Sequence, residues 1–109
     1  MAYDQKLADR IRAKLGKRKG VTEKQMFGGL AVLLNGNMCV GVHGNELIAR
    51  IDPSETADVL KQPHTRVFDL TGRPMKGWIL VQPKGVATDR ALGAWIDRAW
   101  SFASGLKAK

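Results

Sequence analysis

The sequence predicts an α+β domain: a mostly antiparallel sheet, built from a β-meander plus a later strand, with an N-terminal helix, a short middle helix and a long C-terminal amphipathic helix at its flanks. Three observations carry that prediction. Between Val21 and Ile51 four strand-length segments alternate with glycine or asparagine-glycine punctuation, which is the pattern of a meander. A fifth apolar segment, Met75 to Gln82, follows a Gly-Arg-Pro turn and supplies the later strand. The long helix-period segments stand at the two ends of the chain rather than between successive strands, which argues against a parallel βαβ arrangement.

Taken in order, Asp4 is placed to cap a first helix over residues 5 to 15, with Leu7, Ile11 and Leu15 on its buried stripe and Gly16 as its stop. After the polar GKRKG loop, strands are expected at Val21 to Phe27, Leu30 to Leu34, Asn37 to Val42 and Glu46 to Ile51. Gly28-Gly29, Asn35-Gly36 and His43-Gly44-Asn45 separate them. Asn35-Gly36 between two apolar strands is a type I′ hairpin signal, because both central residues need positive φ. Asp52-Pro53-Ser54-Glu55 reads as an N-cap, a proline at the first helical position and an acidic residue reaching back toward the cap, opening a short helix to about Leu60. Pro63 ends that helix, and an extended piece from Arg66 to Leu70 is expected to pair at a sheet edge. Pro83 and Gly85 close the strand Met75 to Gln82. Thr88 then caps a last helix, 89 to 106, in which Leu92, Trp95, Ile96, Ala99, Trp100, Phe102, Ala103 and Leu106 share an arc of about 160°.

Leu30 to Leu34, Met38 to Val42 and Trp78 to Val81 are apolar at nearly every position, whereas a sheet with one wet face alternates. Both faces are therefore expected to be covered. If both long helices lay on one face, the other would expose an apolar patch larger than soluble monomers usually show. A twofold homodimer through Leu30 to Leu34 or Trp78 to Val81 would then cover it; helices on both faces would need no partner.

With 109 residues, 44% of them hydrophobic, the chain is the size of one domain, 1 to 109, and can bury a core. Its longest apolar run, Leu30 to Leu34, is far short of the ~20 residues that span a bilayer, and the charged N-terminus does not resemble a signal peptide. A cytoplasmic protein without membrane attachment is expected. The single cysteine, Cys39, has no internal disulfide partner, and with His43 and His64 it makes too small a ligand set for a structural zinc site. Flanked by Met38 and Val40, Cys39 reads as a buried, quiet thiol. His43 and His64 read as loop histidines. No GxSxG, Walker A, HExxH, GxGxxG or CxxC pattern occurs. No catalytic constellation, metal or cofactor is expected, so the protein is read as non-enzymatic.

The formal charge is +8, from 18 Lys and Arg against 10 Asp and Glu. Residues 1 to 24 carry eight basic and three acidic side chains (+5), residues 25 to 60 one and four (-3), and residues 61 to 109 nine and three (+6). Lys6, Arg10 and Lys14 fall on one stripe of the first helix, and the stripe runs on into Lys17, Arg18 and Lys19. It is either a solvated face or a ridge for nucleic-acid phosphates.

Met26-Phe27-Gly28-Gly29-Leu30, the hairpin Asn35-Gly36-Asn37-Met38, Leu47 to Arg50, Gly72-Arg73-Pro74-Met75-Lys76-Gly77-Trp78, Pro83, and a final helix with Leu92, Trp95 and Ala99 resemble the TfoX N-terminal domain family. The resemblance spans almost the whole chain. It implies a small α+β domain of bacteria that occurs alone or fused to a helical C-terminal TfoX domain, and this chain is expected to be the stand-alone form. Two-domain relatives regulate competence for DNA uptake together with the cyclic-AMP receptor protein. The expected function is thus a regulatory or adaptor domain acting through a protein partner, and the alternative is sequence-independent nucleic-acid binding by the basic ridge. Candidate partner-binding residues are Met26, Phe27, Gly28 and Gly29 at the first strand connection, Arg50 at a strand end, and Arg73, Pro74, Met75 and Lys76 in a loop stiffened by proline. Gly28-Gly29 equally suits a tight strand connection. Arg50, if inward, would need a carboxylate such as Asp69. Phe27, Phe68, Trp78 and Trp95 are assigned to the core.

Overall fold

Two interleaved sets of strand positions, both apolar, decide the architecture. The structure, a computed structural model, describes residues 3–15, 18–26, 29–69 and 76–107. Its elements are α1 (Gln5–Leu15), β1 (Val21–Met26), β2 (Gly29–Leu34), β3 (Asn37–His43), β4 (Glu46–Arg50), a 3₁₀ turn (Pro53–Glu55) running into α2 (Thr56–Val59), β5 (Thr65–Val67), β6 (Trp78–Val81), a second 3₁₀ turn (Pro83–Val86) and α3 (Asp89–Ser104). One antiparallel sheet has the order β1-β2-β3-β4-β6-β5. The α+β expectation holds.

Local signals account for most boundaries. Asp4 Oδ1 accepts from the backbone N–H groups of Lys6 and Leu7 at 2.9 and 3.2 Å, and Thr88 Oγ1 accepts from Ala91 N–H at 3.1 Å, so both long helices start at side-chain caps. Asn35 and Gly36 have φ of 53° and 86°, as the hairpin requires. The third strand runs one residue further than expected: His43 pairs with Glu46, leaving Gly44-Asn45 as the turn. The expected strand Met75 to Gln82 is shorter, because Gly77 sits at φ 86° and ends the extended run. The extended piece does pair at an edge, as β5, but only over Thr65–Val67. At the middle helix Asp52 caps as expected, accepting from Ser54 N–H and Oγ–H, and this holds the Asp52 carboxyl below its usual range. Glu55 does not reach back to that cap. Its carboxylate instead meets Arg98 of α3 at 3.4 Å.

Leu30, Val32, Leu34, Cys39, Val40, Val42, Leu47, Ala49, Ile79 and Val81 are buried with Leu7, Ile11 and Leu15 of α1 and Leu92, Ile96, Ala99 and Ala103 of α3. Both long helices therefore pack on one face. The intervening positions Ala31, Met38, Ile48 and Leu80 form a second cluster around Phe68, with Leu33 and Trp78 packed against it. This explains the strands that fail to alternate. Phe68, which leaves the sheet directly after β5, closes the second face at 1% exposure, and Ala31, Ile48 and Leu80 are at most 1% exposed within a single copy. Helices on both faces are not found among the described residues: the second face carries no long helix, and Phe68 buries its central positions instead. Val32 and Ile79, which belong to the segments expected at a dimer contact, lie on the helix-covered side.

Candidate functional site

The 3₁₀ turn, α2, β5 and β6 meet at one end of the sheet and enclose an open groove of about 450 Å³. Pro53, Ala57, Leu60, Val67 and Trp78 supply its apolar lining, with Ser54, Thr56 and Lys76 as its polar members. Val67 is 38% exposed and is the large hydrophobic side chain most open to solvent among the described residues. The groove adjoins β5, an edge strand whose outer side has no neighbour in the sheet.

Several contacts fix this geometry. Thr56, a buried polar residue, accepts from the Gly77 N–H at 2.7 Å and donates its hydroxyl to the Pro53 carbonyl at 2.9 Å, tying α2 to the start of β6. Ile51 N–H bonds to the Gly77 carbonyl at 2.8 Å. A β-carbon on Gly77 would stand 3.1 Å from Pro53 Cγ, so the positive φ and the close packing both call for glycine there. Lys76, the residue before it, is held exposed at the groove. Trp78 is braced by Phe68, with ring centroids 5.7 Å apart and tilted by 38°, and by the Arg50 guanidinium 5.0 Å from its own ring centroid.

Of the expected partner-binding residues, Lys76 reaches this groove. Arg50 does not line it. Its guanidinium lies against Trp78 and, at 5.7 Å, against the Phe102 ring of α3, with no carboxylate in ion-pair range among the described residues. Asp69, the proposed counter-ion, pairs at 3.8 Å with Arg66. Arg50 is thus a strut between β6 and α3, near the helix C-terminus where a cation is favoured. Gly29 pairs with Met26 and lies so close to the Val42 carbonyl that no β-carbon fits. Its role is close backbone approach. Phe27, Gly28, Arg73, Pro74 and Met75, together with Gly16, Lys17, Leu70 and Gly72, lie outside the described residues, as does the Met26 side chain.

Of the basic stripe, Arg10, Lys14 and Arg18 lie along the junction of α1 and α3. Lys6, Lys14, Arg18 and Lys19 are exposed and Arg10 is half-buried. Arg10 pairs with Asp89 at 3.3 Å, and the Arg18 guanidinium stacks 4.8 Å from the Trp100 centroid. Arg12, not singled out by the sequence reading, forms a two-pronged bond to Glu23 of β1, both contacts 2.8 Å. This bond holds the Glu23 carboxyl below its usual range. Cys39 is 1% exposed, and burial pushes its thiol pKa up to about 12 despite the nearby charges of Arg18 and Arg50. That is the quiet thiol expected. Among the described residues no group of three or more His, Cys, Asp or Glu is arranged to hold a metal ion, and no helix is long and apolar enough to cross a membrane.

Sequence reasoning missed Pro53, Ala57, Leu60 and Val67 as site residues. The available signal was Val67 beside the charged Arg66 in a short edge segment, but nothing local says that α2 returns to it. The family profile described as the TfoX N-terminal domain matches residues 13–103 of the chain. Among curated proteins and among solved structures, nothing matches.

Proposed function

The chain belongs to the TfoX N-terminal domain family, and on that premise we propose that it is a non-enzymatic regulatory or adaptor module that holds a protein partner in the groove between α2 and the β5–β6 edge. The observation that carries this reading is the groove itself: apolar, braced from beneath, open beside an edge strand, with the Lys76 ammonium at its rim. An extended partner segment can lie along β5 and use its main-chain hydrogen bonds. An apolar side chain of that segment fits the lining between Leu60, Val67 and Trp78. A neighbouring carboxylate meets Lys76, and because the chain carries +8 overall, an acidic segment is also the one it attracts over distance. The setting proposed for it is control of transcription or competence, in the cytoplasm, through that bound protein.

The test is selection from a random peptide display library on immobilised protein. Sequences that pair an apolar residue with a nearby acidic one should be enriched, enrichment should disappear with Val67→Glu, and the charge preference should reverse with Lys76→Glu. Failure to enrich any sequence class, or enrichment indifferent to Val67→Glu, would refute the reading.

A further inference from the structure

The packing of α1 on α3 converts a sequence stripe into a two-helix surface. Arg10, Lys14 and Arg18 meet α3 in ascending order at Asp89, Gly93 and Trp100, so the cations form a row along the seam. Gly93 is open to Lys14: a β-carbon there would stand 3.5 Å from Lys14 Nζ and 3.7 Å from its Cε, so the end of this exposed lysine lies over the helix. Arg90, next to Asp89 in the first turn of α3, is a further exposed cation. Arg12 and Arg98 are held by Glu23 and Glu55 of other elements, whereas Lys6, Lys14, Lys19 and Arg90 have no acidic partner among the described residues. The acidic residues of α3 are Asp89, bonded to Arg10, and Asp97.

We propose that this α1–α3 face binds the phosphate backbone of duplex nucleic acid without reading its sequence. Four unpaired cations together with Arg18 suit a polyanion better than a single small anion, since they are spread over α1, the segment that follows it and α3 rather than gathered at one point. A duplex is favoured over a single strand because single-strand recognition needs free aromatic faces for bases to stack on. The aromatic on this seam, Trp100, already has the Arg18 guanidinium against its ring. That stacking pre-orders Arg18 and leaves its edge N–H groups for phosphate oxygens.

Fluorescence anisotropy with a labelled 20-base-pair DNA duplex of arbitrary sequence tests this. Five phosphate contacts, from Lys6, Lys14, Arg18, Lys19 and Arg90, predict a slope of log K against log salt of about -4.5, so affinity should fall about 500-fold between ~50 and ~200 mM salt. Lys6→Glu/Lys14→Glu/Arg90→Glu should weaken binding more than tenfold at the lower salt. The milder Lys6→Gln/Lys14→Gln/Arg90→Gln should reduce the slope to about -1.8, two contacts remaining. Val67→Glu, in the groove, should leave duplex binding unchanged, which separates this surface from the partner groove. Absence of binding at ~50 mM salt, a slope indifferent to both triple variants, or tighter binding to a single strand of the same sequence would overturn the proposal.

Discussion

On one side of the sheet Leu30, Val32, Val40, Leu47, Ile79 and Val81 are buried beneath α1 and α3, whereas on the other Ala31, Ile48 and Leu80 share their burial with one aromatic, Phe68. The helix side spreads its stabilisation over many side chains from two long elements. The opposite side concentrates it in Phe68 and in Trp78, whose ring is packed against Phe68 and also lines the groove. A side chain that closes the core on one of its faces and lines a binding surface on the other couples stability to recognition. On the helix side the two are separate, because the core faces inward and the cations of the seam face out.

The largest test of that contrast is Phe68→Ala. Removing a fully buried aromatic should cost about 3–5 kcal/mol, a large share of the 5–15 kcal/mol typical of domains, and should blunt peptide selection by the groove as well. Ile96→Ala, on the helix side, should cost about 2–5 kcal/mol and leave the groove's selectivity intact. Urea denaturation read by tryptophan fluorescence gives both values. A loss under ~1.5 kcal/mol for Phe68→Ala, the range of a tolerated volume-conserving swap, would mean that the second face does not depend on it.

Thr56→Val is smaller and more local. It keeps the shape but leaves the buried Gly77 N–H without its acceptor, which should cost about 1–3 kcal/mol. Amide hydrogen exchange at Gly77 and Trp78 should accelerate more than exchange in β2 and β3. Uniform acceleration across the sheet would show that the α2–β6 tie is not a separate unit.

Cys39 probes the helix side by pH. Its folded thiol holds a proton up to about pH 12, while an unfolded cysteine releases it near ~8.5, so the folded state binds more protons in between. Stability is therefore fully present below the unfolded pKa and declines as pH rises from there toward the folded value. Cys39→Ala should flatten that alkaline decline. Ellman's reagent should label the native protein only as fast as the core opens, and immediate stoichiometric labelling would contradict the burial.

The smallest effect expected is a gain. Gly93 occupies a mid-helix position, and a β-carbon there would be in ordinary contact with the end of the Lys14 side chain. Gly93→Ala should therefore raise stability by about 0.5–1 kcal/mol through helix propensity, seen as a higher denaturation midpoint with unchanged slope. A loss would mean that α1 and α3 pack more tightly there than an alanine allows.

The sequence by itself determined what depends on neighbours within a few residues. The caps at Asp4, Asp52 and Thr88, the Asn35-Gly36 turn, the order of strands in the meander and the burial of Cys39 were all legible, because backbone chemistry and apolar spacing act locally. It also showed that β2, β3 and β6 must be dry on both faces, since apolar residues occupied both sets of alternating positions. Which element would dry each face was not written in any local pattern. Only the tertiary structure decided that both long helices share one face, that Phe68 closes the other, and that α2 returns to β5 and β6 to enclose a groove with Lys76. The same holds for the seam, where Arg18 meets Trp100 and Lys14 lies over Gly93 across more than seventy residues of chain. Periodicity states that a surface must be buried; which distant surface meets it depends on how the volumes, twists and crossing angles of whole elements fit together, and no short stretch of sequence contains that information.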